Sequence, residues 1–142
     1  MTFLLDTHVL SELRKIRLGR ADRHVAAWAE GVHARDLYVS VITLQEIEQG
    51  ILQLQRRDPA QSAPLRHWFD AQVRPLMAPR TLPVTAEVAL RCAQLNVPDP
   101  RPFRDGLIAA TAWVHGLTVV TRNEADFAGT GVALLNPWRE RA

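Results

Sequence analysis

Three acidic residues stand where a parallel α/β sheet would gather them. Asp6 closes the apolar run Phe3-Leu4-Leu5-Asp6-Thr7, and Glu46 lies in Thr43-Leu44-Gln45-Glu46. Asp105, in Arg104-Asp105-Gly106-Leu107, opens a helical stretch of small residues. Carboxylates brought together without interleaved lysines repel one another, and a divalent cation is the usual group that holds them. The chemistry such a site would support is hydrolysis, with Mg²⁺ or Mn²⁺ on carboxylate oxygens and water activating a water molecule against a phosphodiester. Asn123 and Asp126, in Thr121-Arg122-Asn123-Glu124-Ala125-Asp126, follow a further strand-like run and are candidates to complete the group.

Each of these residues also has a purely local reading. Asp6 and Asp105 are the residue type that caps a helix N-terminus, where unpaired N–H groups favour an acid. Glu46 closes a Thr-x-x-Glu sequence with Thr43, the pattern of a capping box. Asn123 and Asp126 are common turn formers. Taken singly, the local readings are the commoner ones; three acids together at strand ends and helix starts shift the balance toward a shared site.

The elements that must position them follow from hydrophobic spacing. Residues 2–5 and 37–41 read as short buried strands, as do 80–84 between two prolines, 117–121 and 132–135. Helices are expected from Thr7 to about Ile16 and from Asp22 to Glu30. The stretch 43–56 carries Leu44, Ile47, Ile51 and Leu54 on one face. After an interruption at Asp58-Pro59, a helix resumes from Pro64 to Leu76. Thr85 is placed to cap a helix over 86–95. Pro98, Pro100 and Pro102 stiffen a loop, and Asp105 to His115 is helical until Gly116 ends it. Strands alternating with helices predict a parallel sheet covered on both faces, whose strand ends are where ligands bind.

A chain of 142 residues, 47% hydrophobic and 23% charged, fits one globular domain over residues 1–142. It has no apolar run long enough to span a membrane and no signal-peptide pattern at its start, so a cytoplasmic location is expected. Cys92 is the single cysteine; it excludes an internal disulfide and a cysteine zinc cluster, and its apolar neighbours place it in the core. Net charge is +2, but Arg14, Lys15, Arg17, Arg20 and Arg23 are clustered, as are Arg56 and Arg57. These clusters read as solvated faces or as contacts to RNA phosphates. No phosphate-binding glycine loop, dinucleotide fingerprint, serine elbow or H-E-x-x-H run occurs. An aspartyl-phosphate mechanism on Asp6 lacks its acid/base partner two residues on, where His8 stands.

The motifs together resemble PIN-domain ribonucleases, specifically toxins of the VapC and FitB type. Leu4-Leu5-Asp6-Thr7-His8-Val9-Leu10-Ser11-Glu12 is similar to the family's opening. Ser40-Val41-Ile42-Thr43-Leu44-Gln45-Glu46-Ile47 with Gly50 resembles its second acidic motif, and Arg104-Asp105-Gly106-Leu107-Ile108-Ala109-Ala110-Thr111-Ala112 its third. Thr118-Val119-Val120-Thr121-Arg122-Asn123 resembles the fourth, and Leu135-Asn136-Pro137-Trp138 the ending. The resemblance runs in order along nearly the whole chain.

It implies an α/β/α sandwich around a parallel sheet of four to five strands, with a Mg²⁺ or Mn²⁺ site in an acidic cleft. It implies an endoribonuclease, often directed at transfer RNA, with Asp6, Glu46 and Asp105 as catalytic and metal-binding carboxylates. Thr7 would orient Asp6 or a metal-bound water. The family often has aspartate where this chain has Asn123, and asparagine is commoner at the position of His8; Asp126 lies near enough to compensate through water. The resemblance further implies a homodimer and a small cognate antitoxin, through which alone DNA would be contacted. Val9, Leu13, Ile16, Val25 and Trp28 are candidates for partner contact or for the core. The alternative is a PIN fold of weak activity that acts as a binding module.

Overall fold

The structure, a computed structural model, describes residues 1–139; the last three residues of the expected domain lie outside this range. Its centre is five short strands, β1 (Phe3–Leu5), β2 (Leu37–Ser40), β3 (Thr81–Leu82), β4 (Thr118–Val120) and β5 (Leu134–Leu135). They lie in the order β3-β2-β1-β4-β5, and every neighbouring pair is parallel. Parallel neighbours cannot be joined by a tight hairpin, so each connection crosses over the sheet. From β1 the chain steps outward to β2 and β3, then returns to the other side of β1 for β4 and β5. The direction of winding therefore reverses between β1 and β4, the place where open α/β sheets leave a crevice at the carboxyl ends of their strands.

Side chains alternate across β1, and the two faces gather separate cores. Phe3 and Leu5 join Val39 and Val120 against one helical layer. That layer is α1 (Thr7–Arg14), α2 (Arg23–Glu30), α3 (Val41–Arg57), α4 (Pro59–Trp68) and the short α5 (Arg74–Met77). Leu4 and Val119 face the other layer, α6 (Ala86–Leu95) and α7 (Phe103–His115). Each fully buried Leu, Val or Phe contributes about 1.5–3 kcal/mol, so two cores on one sheet are what hold such short strands in place. Ala109, Ala110 and Ala112 are fully buried on α7. With Gly106, whose missing β-carbon would lie 3.2 Å from the Cys92 sulfur, they let α7 press against the sheet and α6.

Most elements fall where hydrophobic spacing puts them, and the differences have local causes. Thr85 caps α6 as expected, its hydroxyl accepting from Val88 N–H at 3.2 Å, whereas Asp22, read as the first residue of α2, stands one residue before it and caps it. Gly116 ends α7 in the left-handed conformation, φ 67°. The interruption expected at Asp58-Pro59 is present but only one residue long: α3 ends at Arg57, and Asp58 caps α4, accepting from Gln61 N–H at 3.1 Å. Pro59 then occupies the first turn, where no N–H is needed, and Pro64 lies inside the helix rather than at its start. A wider π-type turn over Phe69–Val73 joins α4 to α5. Helix α3 begins at Val41, because the Ser40 hydroxyl accepts from Ile42 N–H at 3.0 Å. The expected capping box at Thr43 and Glu46 is therefore absent: Thr43 is fully buried with its hydroxyl unpartnered among the described residues. Helix α7 begins at Phe103, so Asp105 is in its first turn but does not open it. Of the apolar residues on the first helices, Val9, Val25 and Trp28 are core, whereas Ile16 is exposed.

Candidate active site

Asp6 leaves β1 at the winding switch. Its backbone N–H donates to Val120 O at 3.0 Å, carrying the β1–β4 pairing one residue past the strand. One carboxylate oxygen, Oδ1, accepts from Thr7 N–H at 2.8 Å and caps α1. The other, Oδ2, accepts from the Thr121 hydroxyl at 2.9 Å. Thr121 is itself fully buried, and Asp6 is only 7% exposed. The capping role and the site role thus coexist in one side chain, whose two oxygens are held from opposite directions.

Glu46 lies in the second turn of α3 and reaches the same place. Its Oε1 accepts from the Thr7 hydroxyl at 2.9 Å. Thr7 therefore ties two acids together, Asp6 through its backbone and Glu46 through its side chain. Of the two roles expected for its hydroxyl, orienting Asp6 or a metal-bound water, the contact with Asp6 is made by the backbone N–H instead.

Asp105 comes from α7, and Asp126 from the single turn Glu124–Phe127 beyond β4. No hydrogen bond reaches the Asp105 carboxylate among the described residues. Its carboxyl is pushed up from an ordinary 3.8 to about 6, first by burial and then by the negative charges of Asp126, Asp6 and Glu46. Four carboxylates from four separate parts of the chain are thus close enough to feel one another.

Asp6, Glu46, Asp105, Thr7, Asn123 and Asp126 all line one cleft of about 270 Å³. Asn123 sits at the turn, its N–H donating to the Thr121 hydroxyl at 3.0 Å. His8 also lines the wall, exposed to solvent. The donors suit a divalent cation: they are oxygens, and the repulsion that raises the Asp105 carboxyl is what such an ion relieves. Among the described residues no three acidic, histidine or cysteine side chains meet at direct-ligand spacing. A cation held by one or two carboxylates and several waters is the ordinary habit of Mg²⁺.

A family model described as "PIN domain" matches residues 3–132. The chain belongs to the PIN-domain family. The PIN domain is 34% identical to "VapC ribonuclease Y4jK" of Sinorhizobium fredii over 95% of this chain and 96% of that protein. It is 35% identical to "Toxin FitB" of Neisseria gonorrhoeae, covering 96% of this chain and 99% of the relative. Among solved structures it resembles "Structure of FitAB bound to IR36 DNA fragment" at a TM-score of 0.86 and 32% identity, covering 99% of each chain. The five-stranded parallel sheet between helical layers is the architecture that the sequence resemblance implies.

Four residues of this PIN domain's site escaped sequence reasoning. Thr121 holds Asp6 from below the cleft, and Gln49, Gln53 and Arg104 line its wall. Thr121 carries a weak signal, a hydroxyl at a strand end two residues before Asn123. Gln49, Gln53 and Arg104 carry none, because polar residues one or two turns after an acid or beside one are ordinary on helix surfaces.

Proposed function

We propose that this PIN domain, taken as one domain over residues 1–142, is the toxin of a toxin–antitoxin pair and an endoribonuclease dependent on Mg²⁺ or Mn²⁺. The observation that carries the reading is the convergence of Asp6, Glu46, Asp105 and Asp126 on one cleft at the β1–β4 switch. Asp6, Glu46 and Asp105 are the catalytic carboxylates and would hold the cation, while Thr7, Asn123 and Asp126 support them. The bound cation supplies polarisation of the scissile phosphate and a lowered pKa for an attacking water. The protein's own part is orientation. Thr121 and Thr7 fix Asp6, Thr7 fixes Glu46, and Asp105, which holds its proton until about pH 6, completes the acidic wall. Asn123 puts a neutral amide on the wall and so adds nothing to the repulsion.

RNA is the proposed substrate, with transfer RNA a member of that class. A small antitoxin is the proposed partner, with DNA contacted only through it; the relatives called a ribonuclease and a toxin, and the FitAB–DNA likeness, support this. An apolar groove between α1 and α5, bordered by Leu10, Leu13, Trp68 and Leu76 with Arg14 and Arg17 on its rim, offers such a partner a surface. No helix is long and apolar enough to cross a membrane, and we propose a cytoplasmic homodimer.

Incubation of antitoxin-free protein with total RNA in Mg²⁺, Mn²⁺ or EDTA, beside Asp6→Asn, tests the reading. Discrete, metal-dependent fragments that vanish in the variant support it; fragments that persist in Asp6→Asn refute it. The second reading, a PIN fold acting only as a binding module, is favoured by Asn123 and by the absence of three acids at ligand spacing among the described residues. It requires that Mn²⁺ leave the melting temperature unchanged, because a ligand of the native state must stabilise it.

A further inference from the structure

Among the described residues, Arg104 is the one arginine on the wall of the acidic cleft. It precedes Asp105 in α7, yet its guanidinium crosses to α3, where Nη2 donates to Gln49 Oε1 at 2.8 Å. That partner is a neutral amide, so the positive charge is not cancelled by the contact. No ion pair engages Arg104 among the described residues. Arg104 thus keeps its charge on the wall of the acidic cleft.

A guanidinium presents five N–H donors in a rigid fork, and the Gln49 bond occupies one of them. A cleft walled by carboxylates repels a polyanion, and beyond the cation itself a fixed positive group close to the acids offsets that repulsion for an entering strand. The planar fork matches two phosphate oxygens at once. We infer that Arg104, held in place by Gln49, binds a backbone phosphate of the RNA beside the acidic residues and so positions the strand for cleavage. The inference rests on the nuclease reading above and adds to it a residue that contacts substrate. The competing role is mechanical, an α3–α7 tie with no substrate contact.

The test is steady-state cleavage of an RNA oligonucleotide spanning a site cut in total RNA, at several salt concentrations, by wild type, Arg104→Gln, Arg104→Lys and Gln49→Ala. Melting temperatures of all four are measured alongside. Arg104→Gln is expected to raise KM about 10–100-fold, the range of a lost hydrogen-bonded charge contact, with a smaller change in kcat. The slope of log KM against log salt should shrink by about one, as for one lost phosphate contact. Arg104→Lys should restore the slope and part of the KM. Gln49→Ala should keep the slope while raising KM by a smaller factor. If Arg104→Gln keeps the wild-type KM and salt slope, or loses only melting temperature, the inference is overturned and the nuclease reading stands. If wild type cuts no RNA in either metal, that reading falls and takes the inference with it.

Discussion

The Thr121 hydroxyl donates to Asp6 Oδ2 at 2.9 Å, joining residues 115 positions apart in a buried contact. Hydrogen bonds to a charged group contribute about 1.5–3 kcal/mol. Thr121→Val keeps the shape and removes the donor, so it should destabilise the protein by about that amount and reduce cleavage. Thr121→Ser should retain most of both. Urea unfolding and the cleavage assay check this; a Thr121→Val protein of wild-type stability and activity would show that Asp6 is held by the Thr7 N–H alone.

The metal-free protein should be more stable at mildly acidic than at neutral pH. The Asp105 carboxyl rises from 3.8 to about 6 on folding. Between roughly pH 4 and 6 the native state therefore holds a proton that the unfolded chain has released, and stability falls as pH rises through that window. Asp105→Asn should raise the neutral-pH melting temperature in EDTA and flatten this decline, while abolishing cleavage. Thermal scans across the window decide it, and a rise in stability toward neutrality that is unaffected by Asp105→Asn would contradict it.

Asn123→Asp adds a carboxylate to a wall that already carries four acids. In EDTA it should lower the melting temperature through like-charge repulsion. In Mn²⁺ it should bring half-maximal stabilisation to a lower metal concentration. One thermal titration reads both, the metal-free melting temperature and the metal concentration of half-maximal stabilisation; an unchanged metal response would mean that this residue does not face the cation.

Gly131 has φ 81°, and a β-carbon on it would lie 2.5 Å from Cζ3 of the Trp113 ring. Alanine there meets two costs, about 1–2 kcal/mol for the left-handed backbone and about 1–3 kcal/mol for overpacking. Gly131→Ala should shift the urea midpoint accordingly and leave the metal response intact, since Gly131 is not on the cleft wall.

What was legible in the sequence is what depends on near neighbours. Asp6 after an apolar run, the cap at Thr85 and the stop at Gly116 are each specified within a few residues, and each appears as read. The convergence of acids was legible only as far as parallel strands imply a shared edge. Glu46 looked like half of a capping box because Thr43 stands three residues before it, but Ser40 takes the cap and frees Glu46 for Thr7. The hydrogen bonds from Thr121 to Asp6 and from Arg104 to Gln49 span 115 and 55 positions. No local pattern encodes such distances; they follow from strand order, which the alternation of elements does not determine.

That strand order also sets a timetable. β4 docks beside β1, and Asp105, Thr121 and Asp126 all arrive in the closing third of the chain. A growing polypeptide that has emerged only as far as α6 owns Asp6 and Glu46 but has neither the neighbour strand nor the hydroxyl that fixes Asp6. The acidic cleft therefore cannot close until the segment from α7 to the turn beyond β4 has been made, and the order of the strands delays its assembly.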